Sequence, residues 1–234
     1  MTGSHKRVLG CSILLALTVQ FTSAEGQDKT VTLFNGKDLT GWLTKEGTPA
    51  ETLKVGKAIL DPSNPTELLV ESEGNELVNF KGGQRDFFTE AKFGDALIEV
   101  EFMVPKDSNS GVYVMGEYEV QILDSFGRSE VGPGDVGGLY GAQAPRVNAS
   151  KAPGEWQKFV IDFRAPKFDD AGNKTANARF VKVTLNDQVI HEDVEMKGPT
   201  PGGVSGKEAP EGPLMFQGNH GPVAYRNIKI TPVQ

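Results

Sequence analysis

"ALIEVEFMV", residues 96–104, alternates with a period of two: Ile98, Val100 and Phe102 fall on one face, and Glu99, Glu101 and Met103 on the other. Successive side chains of an extended chain point to opposite sides, so this alternation predicts a strand with one buried and one polar face. "GVYVMGEYEVQILD", residues 111–124, repeats the scheme, with Tyr118, Val120 and Ile122 on one face and Glu119, Gln121 and Leu123 on the other. Further strands are expected in "WQKFVIDF" from Trp156, "ARFVKVTL" and "QVIHEDV" around an Asn186-Asp187 turn, "PLMFQ" from Pro213, and "VAYRNIKI" from Val223. Gly, Pro, Asn and Asp clusters punctuate them, and no segment carries a 3.6-residue stripe. Many short strands with long intervening loops at 105–110, 125–153, 165–178 and 196–212 predict an all-β fold, two antiparallel sheets packed as a jelly-roll sandwich. Loops of that size form a binding rim or lie over a sheet face.

Residues 1–24 stand apart. His5, Lys6 and Arg7 precede an apolar stretch from Val8 to Val19 and then the small residues Thr22-Ser23-Ala24, the pattern of a cleaved secretory signal peptide. The stretch is shorter than the roughly 20 residues a membrane-spanning helix needs, so export to the periplasm or outside the cell is expected, not membrane insertion. Cys11 precedes most of the apolar region, whereas a lipidated cysteine should follow it. Cleavage near Ala24 leaves no cysteine, which removes disulfides, thiolate catalysis and Cys-ligated zinc. The chain has 24 basic and 31 acidic residues; the leader carries two of the basic and none of the acidic, so its loss moves the net charge from −7 to −9. Nucleic acid is an unsuitable partner for such a surface. The whole chain is 38% hydrophobic, enough for positions 25–234 to bury one core, and one domain is expected.

Six phrases in this order, "FNGKDLTGW", "FGDALIEVEF", "NSGVYVMGEYEVQILD", "GGLYG", "APGEWQKFVIDFRAPKF" and "GPLMFQGNHGPVAYRNIKI", resemble the 3-keto-disaccharide hydrolase family over nearly the whole mature chain. The resemblance implies a concanavalin-like sandwich and cleavage of glycosides oxidised at sugar carbon 3. In such a family the first phrase marks the first strand and its turn, and Trp42 reads as packing more than as a sugar platform.

The chemistry is sought in "EYEVQILD". Glycoside hydrolase family 16, another concanavalin-like group, has a Glu-x-Asp-x-x-Glu strand, and here Glu119, Gln121 and Asp124 stand at those intervals. Retaining hydrolysis of an ordinary glycoside needs two carboxyl groups about 5–5.5 Å apart, and Gln121 can be neither. A 3-keto sugar requires less, because its carbonyl acidifies the proton on carbon 2; one base can start an elimination, and donors on the carbon-3 oxygen stabilise the enolate. Glu119 or His220 is the expected base, with Gln121, Gln217 and Arg226 as donors to substrate oxygens. His220 lies in the Gly-flanked "QGNHG" loop, where Asn219 replaces an Asp frequent in the family. His191, mid-hairpin among polar neighbours, reads as a surface or edge residue. Asp124 and Glu101 are further candidate substrate contacts, and Tyr113 and Tyr140 could stack on a pyranose ring.

Loss of the leader, with His5 and Cys11, leaves two histidines and no cysteine, which argues against zinc; the carboxylates around Asp107, Asp135 and Asp169-Asp170 are of the calcium-binding kind, although no spacing matches an EF-hand loop. Two other readings share the sandwich: a non-catalytic carbohydrate-binding module, and a conventional glycoside hydrolase using Glu119 and Asp124 as its carboxyl pair.

Overall fold

A computed structural model of the protein describes residue 1, residues 30–48 and residues 53–233. The leader, with Cys11, lies outside the described residues apart from Met1. In chain order the strands are β1 (Val31–Thr32), β2 (Trp42–Thr44), β3 (Lys54–Leu60), β4 (Leu68–Asn79), β5 (Phe87–Phe93), β6 (Ala96–Met103), β7 (Asn109–Val114) and β8 (Tyr118–Leu123). The second half adds β9 (Gln157–Arg164), β10 (Lys167–Phe168), β11 (Lys174–Ala176), β12 (Ala178–Leu185), β13 (Gln188–Met196), β14 (Gly212–Phe216) and β15 (Val223–Pro232). Among the described residues there is no helix, and so none long and apolar enough to cross a membrane.

The strands form two antiparallel sheets. The larger runs β13-β12-β9-β6-β15-β4-β3, with β1 on β15; the smaller runs β2-β5-β14-β7-β8. β10 and β11 pair as a separate ribbon inside the expected 165–178 loop. On β6, Ile98, Val100 and Phe102 are fully buried while Glu99 and Glu101 reach the surface, as the alternation requires. The core lies between the sheets. Trp42 and Phe216 of the smaller sheet stack at 5.5 Å, and Phe216 stacks at 4.0 Å on Tyr225 of the larger one. Ser110 on β7 and the Tyr225 hydroxyl on β15 add a buried hydrogen bond of 2.8 Å between the sheets.

The opening motif is built locally. Asn35 Oδ1 accepts the Lys37 and Asp38 amides at 2.8 and 3.0 Å, which closes the turn that leads into β2. Trp42 is 1% exposed and its indole donates to Leu33 O at 3.1 Å, so it packs in the core, where no sugar can stack on it. At the other hairpin foreseen from sequence, Asn186 and Asp187 both take positive φ, 50° and 66°, the geometry of a tight two-residue turn between β12 and β13.

Three parts of the sequence reading change. The strands β3, β4 and β5 fill a region with no clean alternation: β4 runs through Glu71–Gly74 with its side chains exposed before its last four residues turn inward. Both faces of β8 are covered, so Glu119 and Gln121 are not on a solvated surface. His191 is fully buried, because the 125–153 loop folds against β13: His191 Nε2 lies 2.7 Å from Gly137 O, and the Arg146 amide donates to Ile190 O at 3.0 Å.

Candidate active site

The side chains of β7 and β8 that point away from the core converge on one patch. Register places Tyr113 opposite Glu119 and Gly111 opposite Gln121. A Cβ at Gly111 would lie 2.2 Å from a Glu119 carboxylate oxygen, so glycine there leaves that side chain its present position. Two of the long loops then wall the patch in. The 125–153 loop runs along β8, with Gln121 N donating to Gly138 O at 2.8 Å and Tyr140 N to Glu119 O at 3.2 Å. The 196–212 loop is fastened from the other side by Thr200, whose Oγ1 accepts the Glu119 amide at 2.9 Å.

The result is a cleft of about 240 Å³, a volume suited to one pyranose ring, lined by Lys45, Asp86, Asn109, Tyr113, Glu119, Gln121, Tyr140, Pro201, Gly202, Gln217, Asn219 and His220. Glu119 is 2% exposed. Burial, opposed by the Tyr113 hydroxyl and reinforced by the charge of Asp86, pushes its carboxyl up to about 7. A carboxyl poised there exchanges a proton readily near neutral pH. Asp86 is held in place: its Oδ1 accepts the Gly218 amide at 3.0 Å, and Oδ2 lies 4.0 Å from Lys45 Nζ, which itself donates to Gly202 O at 2.9 Å.

Three amide oxygens on the cleft residues, Asn109 Oδ1, Gln121 Oε1 and Gln217 Oε1, are buried without a hydrogen-bond partner. Gln121 uses its amide nitrogen on Gly134 O at 3.2 Å, which fixes the side chain and leaves the oxygen unpaired. His220 sits exposed on the rim, its Nδ1 against the Asn219 side-chain oxygen.

Glu119, Gln121, Tyr113, Tyr140, Gln217 and His220 are therefore brought together. The other three nominated residues are elsewhere. Glu101 and Arg226 face out from the larger sheet and pair with each other, Arg226 Nε donating to Glu101 Oε2 at 2.7 Å, while Asn227 donates to Glu101 Oε1 at 2.8 Å. The Arg226 guanidinium lies 4.0 Å over the Trp156 ring. Burial alone would raise the Glu101 carboxyl; hydrogen bonds from Arg226 and Asn227 hold it below its ordinary value instead. Asp124 lies past the end of β8 and caps local backbone, accepting the Asp107 amide at 2.9 Å and the Phe126 amide at 3.3 Å. Strand parity sends Glu119 and Asp124 to opposite faces, so they are not a carboxyl pair.

Lys45, Asp86 and Asn109 are cleft residues that the sequence reading did not nominate. Asn109 carried a signal, since it shares the period of Gly111 and Tyr113 along β7. Lys45 and Asp86 carried none: they follow β2 and precede β5 in no recognisable motif, and only strand pairing joins them. Among the described residues no group of three or more His, Cys, Asp or Glu side chains is arranged to hold a metal ion. The carboxylates of Asp135 and Asp169 are engaged, Asp135 by Ser125, Arg128 and the Gly132 amide, and Asp169 by the amides of Ala171 and Asn173.

A Parabacteroides distasonis protein described as a "putative glycosyl hydrolase" is 28% identical to this chain; the match covers 87% of this chain and 84% of that one, with a TM-score of 0.68. Two more structures from the same organism, under the same description, share the sandwich at 18% and 20% identity, with TM-scores of 0.61 and 0.52, covering 88% and 82% of this chain and 94% and 99% of theirs. No curated protein matches. The fold and this relative define a carbohydrate-active protein of the glycosyl hydrolase type. More narrowly, the chain belongs to the family of the 3-keto-alpha-glucoside-1,2-lyase-like domain, whose model matches residues 29–231.

Proposed function

We propose that the protein cleaves glycosides already oxidised at sugar carbon 3, by elimination across carbons 1 and 2 followed by hydration. The observation that carries this reading is Glu119, a buried carboxyl raised to about 7 at the floor of a one-sugar cleft. The Glu119 carboxylate takes the proton from carbon 2. The electron pair moves into an enolate with its charge on the carbon-3 oxygen, where the Lys45 ammonium supplies donors and a fixed positive charge. As the carbonyl re-forms, a carbon 1–carbon 2 double bond forms and the glycosidic oxygen leaves, taking a proton from protonated Glu119 or from His220 at the rim. Water then adds across the double bond, its hydroxyl to carbon 1 and a proton to carbon 2. No electron is gained or lost overall, so an earlier oxidation must supply the keto group.

The unpaired oxygens of Asn109, Gln121 and Gln217 support a hydroxyl-rich ligand, because sugar hydroxyls bring the donors they lack. The family description, which names a 1,2-lyase of a 3-keto-glucoside, agrees with the bond chosen. The protein acts outside the cytoplasm in this proposal, exported by the leader at residues 1–24. The test compares nitrophenol release from a p-nitrophenyl glucoside and its 3-keto derivative against buffer. Release from the keto compound alone, lost on Glu119→Gln, is expected; equal release from the unoxidised glucoside would refute the reading.

A second reading has one observation in its favour. Asp86 lines the same cleft as Glu119, so a conventional two-carboxyl hydrolysis would use that pair. Turnover of the unoxidised glucoside, lost on Asp86→Asn, would establish it.

A further inference from the structure

The Glu119 carboxylate leans over Gly111 of β7 and takes up the space a Cβ would need there. Within the sheet Gly111 is flanked by Gln121, its partner in the β7–β8 register, and by Gln217, whose backbone amide donates to Gly111 O at 3.0 Å. Two amide side chains thus bracket the base, and the oxygen of each is buried without a hydrogen-bond partner. Of the two, Gln121 is the more closely defined. It is 3% exposed, and the 125–153 loop holds its backbone on both sides, Gln121 N donating to Gly138 O and Gly137 N to Gln121 O, each at 2.8 Å. Its side-chain nitrogen donates to Gly134 O at 3.2 Å. A carbonyl only accepts, so the nitrogen must face it, and Oε1 is the end left for the cleft. Gln217 follows the end of β14 and is half-buried.

An unpaired buried acceptor calls for a ligand that donates. The cleavage reading limits which group of the substrate that is. With carbon 2 over Glu119, the oxygens nearest the base are those on carbons 1, 2 and 3. The oxygen on carbon 1 is glycosidic and that on carbon 3 is a carbonyl, so neither carries a proton. Only the 2-hydroxyl can donate. An amide oxygen accepts that bond without taking the proton away, so oxygen 2 stays a hydroxyl while carbon 2 gives up its hydrogen to Glu119.

From this geometry we propose that Gln121 is a specificity-determining residue, its Oε1 accepting the hydroxyl on carbon 2, so that the cleft selects 3-keto sugars in which that hydroxyl is free. The proposal rests on the cleavage reading for the place of carbon 2. It is tested by binding to the unsubstituted protein, with a ligand that has no leaving group. Calorimetric titration compares a 3-keto-C-glucoside, in which a methyl group on carbon 1 replaces the glycosidic oxygen, with its 2-deoxy counterpart. The 2-hydroxyl compound is expected to bind about tenfold more tightly. Gln121→Met, similar in length, should reduce that preference to within about twofold, whereas Gln217→Met should leave it about tenfold. The contact with Gly134 O is lost to both ligands alike in Gln121→Met, so the ratio reads the missing acceptor and not a disturbed loop. Equal binding of the two ligands by the unsubstituted protein, a preference that survives Gln121→Met, or one that Gln217→Met erases would each overturn the proposal. The first comparison needs no substitution, so a Gln121→Met protein that fails to fold still leaves the proposal open to refutation. Turnover of p-nitrophenyl 3-keto-glucoside is measured separately: a protein that shows the preference but releases no nitrophenol would refute the cleavage chemistry and leave the Gln121 contact standing.

Discussion

A carboxyl costs most where it is buried without a cation, and Glu119 is such a case: burial and Asp86 raise it to about 7 from an ordinary 4.5. The folded state therefore holds this proton more tightly than the unfolded chain, so stability is lost as pH rises from the ordinary value through about 7. Glu119→Gln should leave stability near pH 4 little changed and raise it at pH 8 by on the order of 2 kcal/mol, read from denaturant melts at the two pH values. An equal effect at both would show that Glu119 is not the titrating group. His191 works in the opposite sense. Burial, against the Gly137 carbonyl and with the nearby Arg146 charge, lowers its imidazole, and Nδ1 has no partner. The unfolded chain then takes up the proton first, so stability falls as pH drops below about 6.5 toward the lowered value. His191→Gln, which keeps a donor for Gly137 O, should flatten this acid limb; a limb of unchanged slope would assign it to the carboxylates.

At the scale of elements, the cleft depends on how the 196–212 loop is tied down. Glu117, at the turn between β7 and β8, accepts the Ser205 amide and hydroxyl at 2.8 and 2.7 Å and the Gly206 amide at 2.9 Å, and its carbonyl accepts the Thr200 amide at 2.9 Å. Glu117→Ala leaves those loop donors without their carboxylate and should cost roughly 2–4 kcal/mol, with faster hydrogen exchange at residues 200–206. Exchange that quickens equally across the β9–β12 pair would mean a global effect instead. β6 and the β12–β13 hairpin with its Asn186-Asp187 turn were legible in the sequence because one buried face imposes period two, and β8 was legible because its core-facing side is apolar and its loop-covered side polar. The polar interior of β4 and the short β2 were not, since strand pairing holds them more than any pattern of their own.

For the whole molecule, the sandwich is closed by the aromatic stack of Trp42, Phe216 and Tyr225, which couples the edge strand β2 to the larger sheet. Trp42→Ala should cost about 3–5 kcal/mol in urea unfolding, and a loss under 1 kcal/mol would show that β2 is not coupled to the core. The same architecture explains how much of the site could be read in advance. Glu119 and Gln121 stand two apart on β8, so spacing found them, whereas Tyr113, nominated only as a ring for stacking, is set opposite Glu119 by the β7–β8 register. Lys45 and Asp86 reach the cleft only through the pairing of β2 with β5, and Glu101 with Arg226 had the look of a sugar contact until the register of β6 with β15 showed them paired on the far sheet. What the molecule does with this cleft is most directly decided by cleaving a 3-keto-glucoside in deuterium oxide and reading carbon 2 of the released sugar at partial conversion, against free 3-keto-glucose in the same buffer. Elimination and hydration predict one deuterium at carbon 2 in excess of that control; release of sugar that keeps its original carbon-2 hydrogen would contradict proton abstraction by Glu119.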